Sequence, residues 1–359
     1  MEVIALNASG LESFISSAQF QTAQHLPIST RRAIAQLSNP RATPKDILLI
    51  IIQNENAELL AYLGLLPDDI FKDKKQTIHF AWLSCIWVNP DARGQKIAQQ
   101  LLMSAWEHWD GKLMGTEFVP SLKTFYEKSG YFSTFKKKIG IRAYFGADFK
   151  TWLPPKYAFF AKIKPLLRIL DNFMNHILVF KLQNYPDYRN YILPEWPSDT
   201  EVLFKTLDPS QTFHRSQREL DWIWNYPWLQ TDSDPEQDKY YFSLVDPDFE
   251  QVLLGIRNEQ GEIRTLISLL KRGKTLKIPY FFSYSESMPL AMRILMNYIR
   301  QKKIASLVTY HVALVAFFQG QLSTAYFTRR ANRIYMASDS LSFFEVNGIF
   351  DGDGDCAFT

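Results

Sequence analysis

Between an apolar run and a helical one, the stretch "WVNPDARGQKIAQQLLMSAWEHW" sets Arg93, Gly94, Gln95 and Lys96 side by side. A helix N-terminus exposes unpaired backbone N–H groups and the positive end of the helix dipole. A preceding loop that lets another group come close turns such an end into a phosphate site. Here Pro90 stops the strand, Asp91 and Ala92 turn the chain, Gly94 permits close approach, and Arg93 and Lys96 add charge. Many surface helices also begin with basic residues, so the loop acquires meaning only from what surrounds it.

The surrounding elements are those of a mixed α/β chain. "VIAL" reads as a strand, "GLESFISSAQFQ" and "STRRAIAQLS" as helices, and "DILLIIIQNENAELLAYLGLLP" as two strands joined at Asn54–Asn56. "IHFAWLSCIWV" is a long apolar strand feeding the loop and its helix, which runs to Trp109. "KLMGTEF" returns as a strand, "VPSLKTFYEKSGY" is a short helix stopped by Gly130, and "FSTFKKKIGIRAYF" closes the region as strands. A meander thus feeds a β-α-β unit. Residues 191–359 repeat this order: a helix ("RSQRELDWIWNYPWL"), three strands, the helix "MPLAMRILMNYIRQKK", a strand, a short helix and a strand. Between them, "YAFFAKIKPLLRILDNFMNHILVF" has apolar residues at helical spacing and a basic flank of Lys156, Lys162, Lys164, Arg168 and Lys181. Apolar stripes are usually buried, so this reads as a connector packed on both domains; the alternative is a basic amphipathic helix, residues 156–181, on a membrane surface.

Strand, V-x-P, basic glycine loop and helix, followed by "FYEKSGYF", resembles the GNAT superfamily of acetyl-CoA-dependent N-acyltransferases. "IWVNPDARGQKIAQQLL" is similar to the family's V-x-P strand, R-G-x-G-x-A loop and helix, and "FYEKSGYF" to its Y-x-x-x-G-F segment. The likeness covers roughly residues 1–145, and the two blocks together are more specific than either alone. It implies two GNAT-like domains in tandem: an acetyl-CoA-binding domain at 1–150, a connector helix at 151–190, and a degenerate copy at 191–359 that lacks the loop. It also implies that the amides of Arg93, Gly94, Gln95, Lys96, Ile97 and Ala98 hold the cofactor's pyrophosphate. Lys96 stands where the family loop has glycine; a helical backbone at that position does not require one. Backbone N–H groups of Ile86, Trp87 and Val88 would face the thioester carbonyl where the strands splay. Tyr126 matches the tyrosine that protonates the leaving thiolate. The strand before the loop has no glutamate, which leaves Glu117, His79 or water as the base.

The rest of the chain bounds this reading. Its 359 residues suffice for two domains, and 47% hydrophobic against 21% charged residues is a globular balance. A net charge of +3 does not argue for nucleic acid, so no DNA partner is expected. Cys85 and Cys356 make neither a disulfide framework nor a cysteine-rich zinc site, and a reducing cytoplasm fits them. Cys85 reads as a buried small hydrophobe. The start "MEVIALNASGLESF" is unlike a signal peptide, and no apolar run of 18 or more residues predicts a transmembrane segment. The aromatic run Trp222, Trp224, Tyr226, Pro227 and Trp228 suits core packing, with a cleft wall as the alternative. "DGDGDC" alternates Asp351, Asp353 and Asp355 like a calcium loop, but Cys356 replaces the sixth-position glycine, so a solvated acidic turn is expected and no metal.

The expected function is therefore acetyl-CoA-dependent N-acetyl transfer to a small-molecule or peptide amine. The alternatives are a non-catalytic tandem module that binds acyl-CoA or a partner protein, and an aminoacyl-tRNA-dependent transferase.

Overall fold

β-Branched and aromatic clusters make the strands, and serine or asparagine caps open several of the helices. The computed structural model describes residues 1–72, 76–178, 185–207, 212–232, 235–320 and 325–358. It begins with β1 (Glu2–Leu6), α1 (Ala8–Ile15) capped by Asn7, α2 (Ala18–Thr22) capped by Ser17, and α3 (Thr30–Leu37) capped by Ser29. The meander is β2 (Leu49–Gln53), β3 (Leu59–Lys72) and β4 (Gln76–Val88). Then come α4 (Ile97–His108), β5 (Leu113–Thr116), α5 (Pro120–Lys128) and β6 (Thr134–Tyr144). The expected long helix is instead α6 (Phe149–Trp152), α7 (Phe159–Lys162) and α8 (Lys164–Leu178), with Pro165 in the first turn of α8, where its missing N–H costs nothing. Ile177 and Leu178 lie in α8 without described side chains, and Lys181 lies outside the described residues.

β7 (Ile192–Leu193), α9 (Thr200–Leu207), α10 (Gln217–Asn225), β8 (Leu229–Gln230) and β9 (Leu244–Val245) precede the second meander. That meander is β10 (Glu250–Arg257), β11 (Ile263–Arg272), β12 (Thr275–Lys277) and β13 (Phe281–Ser283). α11 (Met288–Gln301), β14 (Ser306–Thr309), α12 (Val312–Gln319) and β15 (Phe327–Ala337) complete the order.

The chain forms two compact units, and they are interleaved in sequence. The first comprises Met1–Lys138, Thr200–Pro247 and Arg333–Thr359, and the second Ile139–Asp199 and Asp248–Asn332. In the first, β1 to β4 pair antiparallel in sequence order, β4 runs parallel to β5, and β5 takes Tyr335–Ala337 of β15 as its antiparallel neighbour. In the second, β7, β10, β11 and β12 pair antiparallel, β12 runs parallel to β14, and β14 takes Ile141–Tyr144 of β6. The two sheets thus share one plan, with their last strands exchanged. This exchange is why the units differ from a contiguous division at 1–150, 151–190 and 191–359: each closing strand is delivered by the other half of the sequence.

In the first unit, Leu101, Leu102 and Ala105 of α4 bury against Ile50, Ile52, Ala61 and Leu63 on one face of the sheet. The other face packs Leu49, Ile51 and Tyr62 against Leu11, Phe20 and Ile28. The second unit packs α11, through Ile294, Leu295 and Tyr298, onto Leu254, Ile267 and Leu307.

Candidate active site in the first unit

The register of β4 creates the site. Tyr62 faces Trp87 and Gly64 faces Ser84, so β4 carries one more residue than β3 over this interval. The extra residue sits at Cys85, whose φ is +60°, a left-handed kink inside a strand. On its other edge, β4 pairs with β5 at Ala81–Leu113 and Trp82–Met114, and the described pairing goes no further. Past that point the strands part, and a cavity of about 790 Å3 opens between Leu83, Cys85, Ile86, Trp87 and Val88 on one side and Thr116, Glu117, Phe118 and Val119 on the other. The Asn89 N–H donates to Leu60 of β3. Alternation along the strand then turns the Val88 N–H to the opposite edge, into the gap.

The basic loop lines the cavity as well. Arg93, Gly94, Lys96, Ile97 and Ala98 line it, as does Gln99; Gln95 belongs to the same loop without lining the cavity. Lys96 is the N-cap of α4 and no side chain caps that helix, so its first-turn amides are left for another acceptor. Gly94 has φ +86° with open space where a side chain would stand. Lys96 is left-handed too, at φ +61°. This corrects the expectation of a helical backbone at that position: the conformation is one glycine adopts freely and lysine adopts at a cost of about 1–2 kcal/mol. Three of the non-glycine residues with positive φ, namely Cys85, Lys96 and Glu117, line this one cavity. Strain of that kind concentrates at functional sites.

Tyr126 of α5 also lines the cavity, 2% exposed, with its ring among Phe118, Phe125 and Phe132. Burial pushes its hydroxyl well above the ordinary tyrosine range, so it stays protonated. Glu117 is on the wall as well, but its Oε1 lies 2.6 Å from Nη2 of Arg333, a buried guanidinium. A carboxylate that neutralises a buried cation has a structural task, and this argues against Glu117 as the base. His79 is not among the cavity residues. Its Nε2 and Nδ1 meet Asp46 at 2.9 Å and Asp69 at 2.8 Å, and these bonds raise it to about 9, so both ring nitrogens are engaged and the ring is charged at neutral pH.

Other wall residues gave no local sign in the sequence. Asp355 reaches the cavity and its Oδ2 accepts a hydrogen bond from Ser84 Oγ at 3.0 Å. Tyr241 and Phe242 complete the wall. Cys85 is no buried hydrophobe: it lines the cavity with its Sγ against the buried Arg32 guanidinium, which also donates to Tyr240 Oη at 2.8 Å and stacks 3.8 Å above the Trp228 ring. Trp222 and Trp228 are core residues that pack on Phe358. The segment around Asp351, Asp353 and Asp355 is not a solvated turn. Asp353 is fully buried on Arg215, and the half-buried Asp351 meets the buried Lys138. Among the described residues no cluster of three or more histidine, cysteine or acidic side chains could hold a metal ion.

Residues 46–132 match the family model described as an acetyltransferase (GNAT) domain. No curated protein matches the sequence. Among solved structures, the chain is similar to N-myristoyltransferase of Saccharomyces cerevisiae with bound myristoyl-CoA, at 8% identity over 93% of this chain and 78% of that one, with a TM-score of 0.50. That likeness is one of fold. A probable N-acyltransferase of unknown function from Enterococcus faecalis V583 aligns at 10% identity over 95% of this chain and 73% of that one, with a TM-score of 0.48. A GCN5-related N-acetyltransferase from Anabaena variabilis aligns at 10% identity over 94% and 72%, also with a TM-score of 0.48.

Proposed function

We propose, from the premise that the chain is a GNAT superfamily protein with its acyltransferase domain at residues 46–132, that it transfers the acetyl group of acetyl-CoA to a primary amine of a small molecule or peptide. The observation that carries this reading is the convergence, on one cavity, of an uncapped helix N-terminus, the gap beside β4 and a buried tyrosine hydroxyl. The amides of Gly94 to Ala98 and the side chains of Arg93 and Lys96 suit a pyrophosphate. The Val88 N–H suits the oxyanion that develops as the amine attacks the thioester carbon.

Two proton movements complete the reaction. Asp355 takes the proton from the attacking amine, and Tyr126 supplies one to the sulfur as the C–S bond breaks. Burial weakens Tyr126 as an acid, but it raises the basicity of a thiolate in the same cavity equally in direction, so the hydroxyl remains a matched donor. Tyr241 and Phe242, which line the same cavity as Asp355, offer with it an aromatic and anionic approach for an amine that arrives as a cation and is deprotonated before it attacks. The two free cysteines, Cys85 and Cys356, support a reducing cytoplasm as the compartment.

Titration of acetyl-CoA into the protein tests the binding half of the proposal. At a concentration about 100 times its dissociation constant the ligand should stabilise the protein by about 2.7 kcal/mol. Heatless titration and an unmoved melting temperature at millimolar acetyl-CoA would defeat it. Release of free CoA thiol across a panel of amines tests the chemical half.

A further inference from the structure

The helix α8 buries one face and leaves another uncovered. Leu167 and Asp171 are buried. The Asp171 carboxylate accepts the N–H groups of Phe149 at 2.7 Å and Lys150 at 3.2 Å, at the start of α6. Asn175 clamps Ala147 from both sides, accepting its N–H at 2.7 Å and donating to its carbonyl at 2.9 Å. These bonds fix the rotation of the helix about its axis. They hold Leu166, Ile169, Leu170 and Phe173 outward, at the i, i+3, i+4, i+7 spacing of a single stripe. Leu166 is 61%, Ile169 66% and Phe173 63% exposed. Tyr157 and Phe159 add exposed rings just before the helix. The expectation that this stripe would be packed away is therefore not met, because the face that secures α8 is a different one.

The charge of the segment that carries the stripe says what covers it. Lys150, Lys156, Lys162, Lys164 and Arg168 are all cationic, and Asp171, the one acidic residue between 149 and 175, is buried in its own hydrogen bonds. A protein partner would be recognised by varied polar chemistry at the rim of such a patch. Here the charged residues of the segment, the buried Asp171 apart, are of one sign, and Lys164 and Arg168 lie on the side of α8 away from the stripe, which is the arrangement of an interfacial helix with an apolar face and a basic one. We infer that α7 and α8 dock this protein on a bilayer that carries anionic lipid, with Leu166, Ile169, Leu170 and Phe173 in the acyl–headgroup boundary and the basic residues at the headgroups. Such helices lie in the interface and do not cross it; among the described residues no helix is long and apolar enough to cross a membrane. The docking is independent of the acyl transfer proposed above, and its test uses no turnover.

The full chain is mixed with phosphatidylcholine vesicles, with and without about one-third phosphatidylserine, and sedimented. It should sediment with the anionic vesicles and be released by added salt. Ile169→Asp combined with Phe173→Asp should weaken this binding at least about tenfold while leaving the melting temperature unchanged, since both side chains are exposed. Lys162→Glu with Lys164→Glu and Arg168→Glu should abolish the preference for anionic lipid. Three results would overturn the inference: no sedimentation with anionic vesicles, binding by the Asp variant equal to the wild type, or a wild-type dimer that the Asp variant turns into a monomer, which would make this face a contact between copies.

Discussion

Lys96 is the residue on which sequence and backbone disagree. Its type suits a phosphate loop, while its φ of +61° suits glycine. Lys96→Gly should stabilise the protein by about 1 kcal/mol by removing the left-handed penalty, and Lys96→Ala, which keeps that penalty, should not. A glycine variant that melts no higher than the alanine variant would show that the strain is not stored there. Tyr126→Phe should lower kcat about 10²- to 10⁴-fold with little change in acetyl-CoA affinity, because the charge it meets exists only as the C–S bond breaks. A purely structural tyrosine would instead cost melting temperature and spare the turnover of the folded fraction. Asp355→Asn should lower kcat on a similar scale, about 10²-fold or more, again without weakening acetyl-CoA binding. Full activity in that variant would return the base role to water. The loop, Tyr126 and the stretch Ile86–Val88 were readable as cavity residues because each lies in a short local pattern. Asp355 was not, since nothing near it in sequence signals that it folds back onto Ser84, 271 residues earlier.

At the scale of elements, the meander, α4, β5 and α5 were legible because apolar periodicity and turn residues are local signals. The kink in β4 was hidden, since Cys85 is an unremarkable residue for a strand and only the register against β3 exposes the extra residue. The stretch expected as one helix between the two halves broke where Pro165 opens α8, a signal present in the sequence and outweighed by the long apolar stripe. His79 joins β4 to both β3 and the approach to β2 through Asp69 and Asp46. Hydrogen bonds to Asp46 and Asp69 raise it from 6.5 to about 9, and, against the opposing effect of burial, the same bond helps lower Asp46 below its ordinary 3.8. A raised histidine stabilises fully below its unfolded value and loses that contribution as pH rises through its folded one; a lowered aspartate behaves in the opposite sense. The clamp should therefore be strongest between about pH 4 and pH 6.5 and weaken toward pH 9. Melting temperatures measured across that range for the wild type and His79→Gln should converge at the alkaline end. Parallel curves would remove His79 from the pH dependence.

At the scale of the whole molecule, the order of elements suggested a repeated plan and concealed that the closing strands are traded, because pairing partners far apart in sequence leave no periodic trace. The first unit must consequently fasten three separate stretches of chain, and a buried ion network does so. Arg215 donates to Asp68 of β3 through Nη1 at 2.8 Å and Nη2 at 2.7 Å, and through Nε to Asp353 at 2.9 Å. Arg41 adds a second guanidinium on Asp68 at 2.7 Å, and Trp82 Nε1 donates to its other oxygen at 2.9 Å. Burial alone would push Asp68 up; the two guanidiniums overcome it and hold the carboxylate far below its usual range. Asp353 is less well compensated, and burial leaves it raised. Breaking such a cluster at one partner costs more than the cluster contributes net, because a charge is left without its counterpart. Arg215→Met should thus cost about 3–5 kcal/mol in urea unfolding. Asp353→Asn should cost less, since the isosteric amide keeps an acceptor oxygen for Arg215 Nε. The same arginine positions the segment that carries Asp355, two residues beyond Asp353. Arg215→Met should therefore also lower kcat per folded molecule, whereas an equally destabilising change in the second unit, such as Leu295→Ala in its core, should leave kcat per folded molecule intact. Equal loss of turnover in both variants would mean that the network only fastens the fold and does not position Asp355.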